Sequence, residues 1–267
     1  MRGFLLINPR AGKGRPDAAE LLEAAEKRGL RAHVLDRGDD AVALASAADA
    51  EAIGVGGGDG SLAPIAAVAV ERDVPFVCVP FGTRNHFARD LGLDRDDPVG
   101  ALDAFDGSER RIDVGRVGGR LFLNNVSLGA YASLVHRHER HRRRRRALAR
   151  LRALWLTARD RRDLRLSLDG RRVEARILLV ANNAYELQLF DVGARETLTE
   201  GRLHVYTARG WLPTAWEETT AERLTLASER PRLRAAVDGE PAVLEPPIEF
   251  SIEREALRVL VPQPPRG

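Results

Sequence analysis

The stretch Glu51–Ser61, "EAIGVGGGDGS", sets an apolar run, a glycine series and a single carboxylate in a row. The apolar run reads as a short buried strand, the glycines as a turn, and the residues from about Ser61 as the start of a helix. Upstream, "GFLLIN" (3–8) is another apolar strand, and "PDAAELLEAAEKRG" is a helix with Pro16 near its start and Gly29 at its end. "RAHVL" (31–35) and "DDAVALASAA" give a second strand and helix. "PFVCVP" (75–80) is a fourth strand running into "FGTRNHFARDLGL". Strand and helix alternate, which predicts a doubly wound parallel sheet with its ligand loops at the carboxyl ends of the strands.

Beyond about Gly107 the texture changes. "RIDVGRVGGRLFLNN", "LRLSLDGRRVEARILLVANN", "RLHVYTA", "RLTLAS", "RLRAAVDGEPAVL", "IEFSIE" and "LRVLVP" read as short strands, with Gly118-Gly119 and Asp169-Gly170 at hairpin turns. The expected fold class is therefore α/β plus β. An amino-terminal α/β domain over 1–117 precedes a mainly antiparallel domain over 118–267, which is interrupted by a long basic helix near 131–162. The cleft between such domains is the default ligand site.

A chain of 267 residues with 44% hydrophobic and 30% charged residues suits a soluble globular protein. Its apolar runs are too short for membrane spans. The first residues lack a small-residue cleavage site and read as a strand, not a signal peptide. Cys78 is the only cysteine, which excludes an intrachain disulfide and suits a reducing cytoplasm. Net charge is +3, but His136–Arg162 holds twelve Arg against Glu139 and Asp160. That is a local +10, so the remainder carries −7.

Three loops follow strands of the first half: "NPRAGKGR", "GGGDGS" and "PFGTRNHFA". Glycines such as Gly12, Gly57, Gly58, Gly60 and Gly82 let backbone N–H groups approach phosphate oxygens. Neither standard phosphate fingerprint fits. The dinucleotide pattern begun by Gly54 and Gly56 meets Asp59 where glycine is required, and Lys13 is not followed by Ser or Thr. Asp59 beside polyphosphate is tolerable if Mg²⁺ neutralises the cluster, or if the carboxylate faces a hydroxyl whose proton it takes. Both roles point to phosphoryl transfer. The competing reading makes Asp59 a helix cap or turn residue. "VDGE" (237–240) likewise reads as a two-residue Asp-Gly hairpin turn with Asp238 and Glu240 flanking it.

In these elements the chain resembles the diacylglycerol kinase catalytic-domain family, which includes bacterial lipid kinases and sphingosine kinases. The resemblance rests on "NPRAGKG" (8–14), "GGDGS" (57–61), "PFGTRNHFARDLGL" (80–93), "RIDVG" (111–115), "FLNNVSLGAY" (122–131) and "VDGE", in that order. It implies a nucleotide-binding α/β domain, a carboxy-terminal β-sandwich, and ATP with Mg²⁺ as cofactors. By this likeness Asn8 and Gly57–Ser61 hold ATP phosphates, and Thr83 and Asn85 complete the nucleotide site. Asp59 acts near the metal or the acceptor hydroxyl, Asp113 is the acid kept at the cleft, and Asp238 or Glu240 is the general base. The implied reaction is transfer of the γ-phosphoryl group of ATP to a lipid hydroxyl, diacylglycerol-like or related, as a step of phospholipid metabolism. Alternatives are a kinase for a soluble acceptor such as NAD, and a catalytically weakened nucleotide- or lipid-binding module.

Four residues depart from the family pattern. Ala11 replaces a serine, Ser61 a threonine, and His86 a frequent aspartate, while Pro64 stands where an acid or amide is common. The basic run, with Leu148, Leu151 and Trp155 at helical spacing, suits anionic lipid headgroups, so the expected location is cytoplasmic and peripheral at the membrane. A solvated charged face competes with that reading. No recognised nucleic-acid module accompanies the arginines. An exposed sandwich edge offers a surface on which two copies could pair as a homodimer.

Overall fold

The computed structural model describes residues 2–11, 16–129, 164–185, 187–188, 191–192, 194–208 and 216–263. Gly12 and the basic segment 136–162 lie outside the described residues. In chain order the first half contains β1 (Gly3–Ile7), α1 (Ala18–Lys27), β2 (Arg31–Val34), α2 (Ala41–Ala47), β3 (Ala52–Gly57), α3 (Asp59–Glu71), β4 (Phe76–Pro80), α4 (His86–Asp90), a 3₁₀ stretch Gly100–Asp106 and β5 (Ser108–Val117). The second half contains β6 (Arg120–Phe122), β7 (Asn125–Gly129), β8 (Leu164–Leu168), β9 (Arg171–Ala175), β10 (Ile177–Asn182), β11 (Leu187–Gln188) and β12 (Asp191–Val192). It continues with β13 (Leu203–Ala208), β14 (Trp216–Ala221), β15 (Arg223–Ser228), β16 (Leu233–Val237), β17 (Glu240–Leu244) and β18 (Ile248–Val261).

The chain divides into two compact units, one of residues up to Val114 together with those from Arg254 onward, the other Gly115–Glu253. This differs from the expected split at 117/118. The final strand returns to the first unit because Val259 and Leu260 pair in parallel with Phe76 and Val77 of β4. The expected pair of strands "IEFSIE" and "LRVLVP" is the single strand β18, kinked at Glu255, where φ is +50°.

In the first unit the parallel order is β2-β1-β3-β4-β18. α1 caps well because Asp17 accepts from the N–H groups of Ala19 and Glu20 while Glu20 returns a bond to the Asp17 N–H. Its buried Leu21 and Ala25 join Leu5, Ile7, Val77, Val79 and Phe105 of the 3₁₀ stretch in one core cluster. Two glycines of the opening motif serve this packing. A Cβ on Gly54 would lie 2.7 Å from the Phe105 ring, and one on Gly56 would lie 3.2 Å from Leu21.

The second unit contains a six-stranded antiparallel sheet, β14-β13-β10-β7-β16-β17. Its Val126, Leu128, Leu178 and Val180 form one core with Leu166, Leu226, Ile248 and Phe250, contributed by β8, β15 and the first half of β18. That is the expected sandwich, with alternate residues facing inward. All three turn dipeptides have both residues at positive φ: Gly118-Gly119 (53°, 81°), Asp169-Gly170 (48°, 82°) and Asp238-Gly239 (49°, 79°). This is the geometry a two-residue hairpin needs. Among the described residues no helix is long and apolar enough to cross a membrane.

Candidate functional site

β3 continues through Gly57 and α3 begins at Asp59, so the glycine series is mostly strand and only Gly58 stands between the two elements. Asp59 is thus the first helical residue, not a loop residue, and Ser61 lies in the first turn instead of opening the helix. The described parts of the three phosphate-type loops meet at the carboxyl edge of the parallel sheet. The Asn8 N–H donates to the Gly56 carbonyl (2.8 Å), and the Phe81 N–H donates to the Gly57 carbonyl (3.1 Å). The Asn8 side-chain amide donates to Ser61 Oγ at 2.9 Å, while its Oδ1 accepts the Arg10 N–H.

Gly58 and Gly82 bring two backbones together. A Cβ on Gly82 would fall 2.4 Å from the Gly58 Cα and 2.8 Å from Asn85 Oδ1, so no side chain fits there. Asn85 holds this loop. It adopts the left-handed region at φ 48°, its Oδ1 accepts the Gly82 N–H, and its amide donates to the carbonyls of Gly82 and Arg95. Asn85 is buried, so it positions the loop, whereas Thr83 next to it is exposed.

Asp59 joins two helix starts. Within α3 it occupies the first turn, where a negative charge complements the helix dipole. Its Oδ2 accepts the His86 N–H (3.2 Å) and its Oδ1 the Phe87 N–H (3.1 Å), the first donors of α4. The protein itself therefore supplies hydrogen-bond donors for the carboxylate among the glycines. Burial, and after it the nearby Asp59 charge, push the Cys78 thiol far up, so it stays protonated. Among the described residues no group of three or more His, Cys, Asp or Glu side chains is arranged to hold a metal. Asp59 offers one carboxylate, whose two oxygens already accept the His86 and Phe87 N–H groups. That donor set suits Mg²⁺ only when phosphate oxygens supply most of the coordination. Pro64 sits at the sixth position of α3, beyond the first turn, so it deprives the Gly60 carbonyl of its usual helical partner.

The remaining expected acids are heavily engaged. Asp113 is 1% exposed and its Oδ1 accepts the Glu255 N–H at 2.8 Å, which holds the kink of β18. Asp238 is buried at 7%. Its Oδ2 accepts the Leu123 N–H (2.9 Å), and its Oδ1 accepts those of Asn124 (2.7 Å) and Asn125 (3.1 Å). With three backbone donors on its two oxygens, Asp238 organises the corner between β6 and β7. Glu240, two residues on, is exposed at the start of β17. Sequence reasoning missed Arg195, a 5% exposed guanidinium bonded to the same corner. No local pattern announces it, because its partners at this corner, Leu123 and Asn124, lie more than seventy residues away.

A parallel α/β unit with an acid-bearing glycine cradle at its carboxyl edge, continued by a β-sandwich, defines the class of this protein. Residues 2–117 match the family model described as the diacylglycerol kinase catalytic domain. The chain is 45% identical over 82 residues to a protein of Pseudomonas fluorescens Pf-5 named "Probable lipid kinase YegS-like", covering 30% of this chain and 27% of that one. A protein of the same name from Pseudomonas aeruginosa PAO1 is 36% identical over 137 residues, covering 49% of this chain and 45% of its own length. "Diacylglycerol kinase" of Bacillus subtilis 168 is 29% identical over 145 residues, covering 51% and 48%. The chain thus matches less than half the length of each of these curated relatives. A diacylglycerol kinase structure from Bacillus anthracis Sterne shares the fold, with TM-score 0.70 and 17% identity over 97% of this chain and 96% of that one.

Proposed function

We propose that this protein is an ATP-dependent lipid kinase that transfers the γ-phosphoryl group to a lipid hydroxyl. The observation that carries the reading is the cradle itself. Gly82 leaves no room for a side chain against the Gly58 backbone, and the start of α3 beside it favours an anion. Asn8 orients Ser61 at the rim, and Asn85 fixes the Gly82 loop, so the donors are set before a nucleotide arrives. Asp59 is the residue that would hold Mg²⁺ beside the phosphates, where the ion would screen their charge.

For the acceptor half, the exposure of Glu240 at the start of β17 supports it as the proton acceptor, while Asp238, which accepts three backbone N–H groups, holds the turn before it. Support for a lipid over a soluble acceptor such as NAD comes from the diacylglycerol kinase family match and from the lipid-kinase names of the relatives. We further propose that the basic segment 136–162 draws the enzyme to anionic membrane surfaces from the cytoplasmic side. Its +10 charge is the support for this. The test of the core reading is Asp59→Asn, assayed with ATP, Mg²⁺ and diacylglycerol micelles. Transfer is abolished if Asp59 acts at the phosphates, and near-normal turnover would contradict the role.

A further inference from the structure

Arg195 belongs to none of the loops or turns that the proposed chemistry uses, yet it is one of the most deeply embedded charges among the described residues. Its Nη1 donates to the Leu123 carbonyl (2.7 Å) and the Asn182 carbonyl (3.0 Å), and its Nη2 donates to Asn124 Oδ1 (3.0 Å). The guanidinium stacks over the Tyr185 ring at 5.4 Å. Tyr185 is itself tethered by its N–H to the Tyr206 hydroxyl at 3.1 Å. Burying a guanidinium is expensive, so such a fully dressed arrangement marks a position where geometry is specified.

The corner it grips is the one that Asp238 grips. Asp238 takes the N–H groups of Leu123, Asn124 and Asn125, while Arg195 donates to the Leu123 carbonyl and the Asn124 side chain. The Asn182 amide adds a second bond to the Leu123 carbonyl at 3.1 Å. In return the Asn125 carbonyl accepts the Asp238 N–H at 2.9 Å. An anion and a cation thus define one irregular corner, and the anion opens the two-residue turn that presents Glu240. A displacement of the corner moves that turn.

We infer that Arg195 is a positioning residue for the acceptor half of the reaction, holding the Leu123–Asn125 corner so that Asp238 and the turn bearing Glu240 keep their place. This rests on the lipid-kinase reading through Glu240. The test compares wild type with Arg195→Lys, which keeps the charge but loses the planar fork, and with Asn124→Ala, which removes only the Nη2 acceptor. Dioctanoylglycerol in detergent micelles with ATP and Mg²⁺ is the probe, and amide hydrogen exchange at 123–125 is read in parallel.

For Arg195→Lys, kcat/KM for dioctanoylglycerol falls about tenfold or more, the scale of one lost charge-assisted hydrogen bond, while KM for ATP is unchanged. Exchange at the corner accelerates by about the same factor. Asn124→Ala shifts both readouts in the same direction by less. The KM for dioctanoylglycerol rises with the displaced turn, whereas partial unfolding alone lowers the active fraction and leaves both KM values unmoved, so an unmoved lipid KM also overturns the proposal. Unchanged exchange at the corner, or unchanged kcat/KM for the lipid, overturns the proposal. A wild-type protein that phosphorylates no lipid defeats the kinase reading instead, and the exchange rates alone then decide whether Arg195 holds the corner.

Discussion

Replacing Gly82 with alanine tests the cradle directly. The new Cβ would sit 2.4 Å from the Gly58 Cα and 3.0 Å from the Gly58 nitrogen. An ordinary carbon contact is about 3.5–4.0 Å, so the two loops must separate by about 1 Å. Both partners are backbone, and no rotamer can swing away. The Asn85 oxygen, at 2.8 Å, adds a second obstacle. Overpacking of this kind costs about 1–3 kcal/mol, and a backbone-on-backbone clash belongs near the top of that range. Misplacing phosphate donors by about 1 Å lowers turnover by about a hundredfold. The matched control is Gly38→Ala, which has open space around it and no positive φ, so its stability should change little. Urea denaturation and steady-state transfer from radiolabelled ATP to diacylglycerol read the two effects. Gly82→Ala with wild-type stability and wild-type turnover would refute the close approach and, with it, the cradle.

Asp238→Asn and Glu240→Gln separate the two candidate bases. The first sets an amide NH₂ against backbone donors and lowers stability by about 1–3 kcal/mol in denaturant melts, while the second leaves stability near wild type and removes turnover. Arg258 pairs bidentately with Glu109 (2.9 and 2.7 Å) and holds the Glu109 carboxyl below its ordinary 4.5. A lowered folded-state value means that this stabilisation is full above about pH 4.5 and fades as pH falls through the lowered value. Glu109→Gln therefore costs about 1 kcal/mol at pH 7, modest because the pair is partly solvated, and the difference from wild type closes in acid melts. Changing Arg142 to Arg146 to Gln weakens co-sedimentation with phosphatidylserine vesicles while leaving transfer to micellar lipid intact. Undiminished vesicle binding counts against the membrane role.

Much of the first unit was legible because its strands are short apolar runs punctuated by proline and glycine, and the turn dipeptides of the second unit announced their own positive φ. The glycine series was only half legible. Gly54 and Gly56 begin a dinucleotide pattern that fails at Asp59, and what they do, making room for Phe105 and Leu21, is a long-range packing need with no local signature. In sequence β18 divides into two strands because Glu253, Arg254 and Glu255 break its apolar alternation, and only the bond from the Glu255 N–H to Asp113 shows that the break is a kink. β14, "WEETTA", lies at the edge of its sheet with four exposed polar residues, so it carried no strand pattern. Asp59 was read as an acid that calls for a cation, but the donors of α4 that accommodate it are visible only in three dimensions. Arg195 was invisible for the same reason.

The account stands or falls on where the label goes when the purified protein is given γ-³²P-ATP, Mg²⁺ and total membrane lipid extract. It predicts a labelled, organic-soluble product that forms with wild type and disappears with Asp59→Asn. Label found only in a water-soluble product such as phosphorylated NAD, or lipid labelling that persists undiminished in Asp59→Asn, would contradict it.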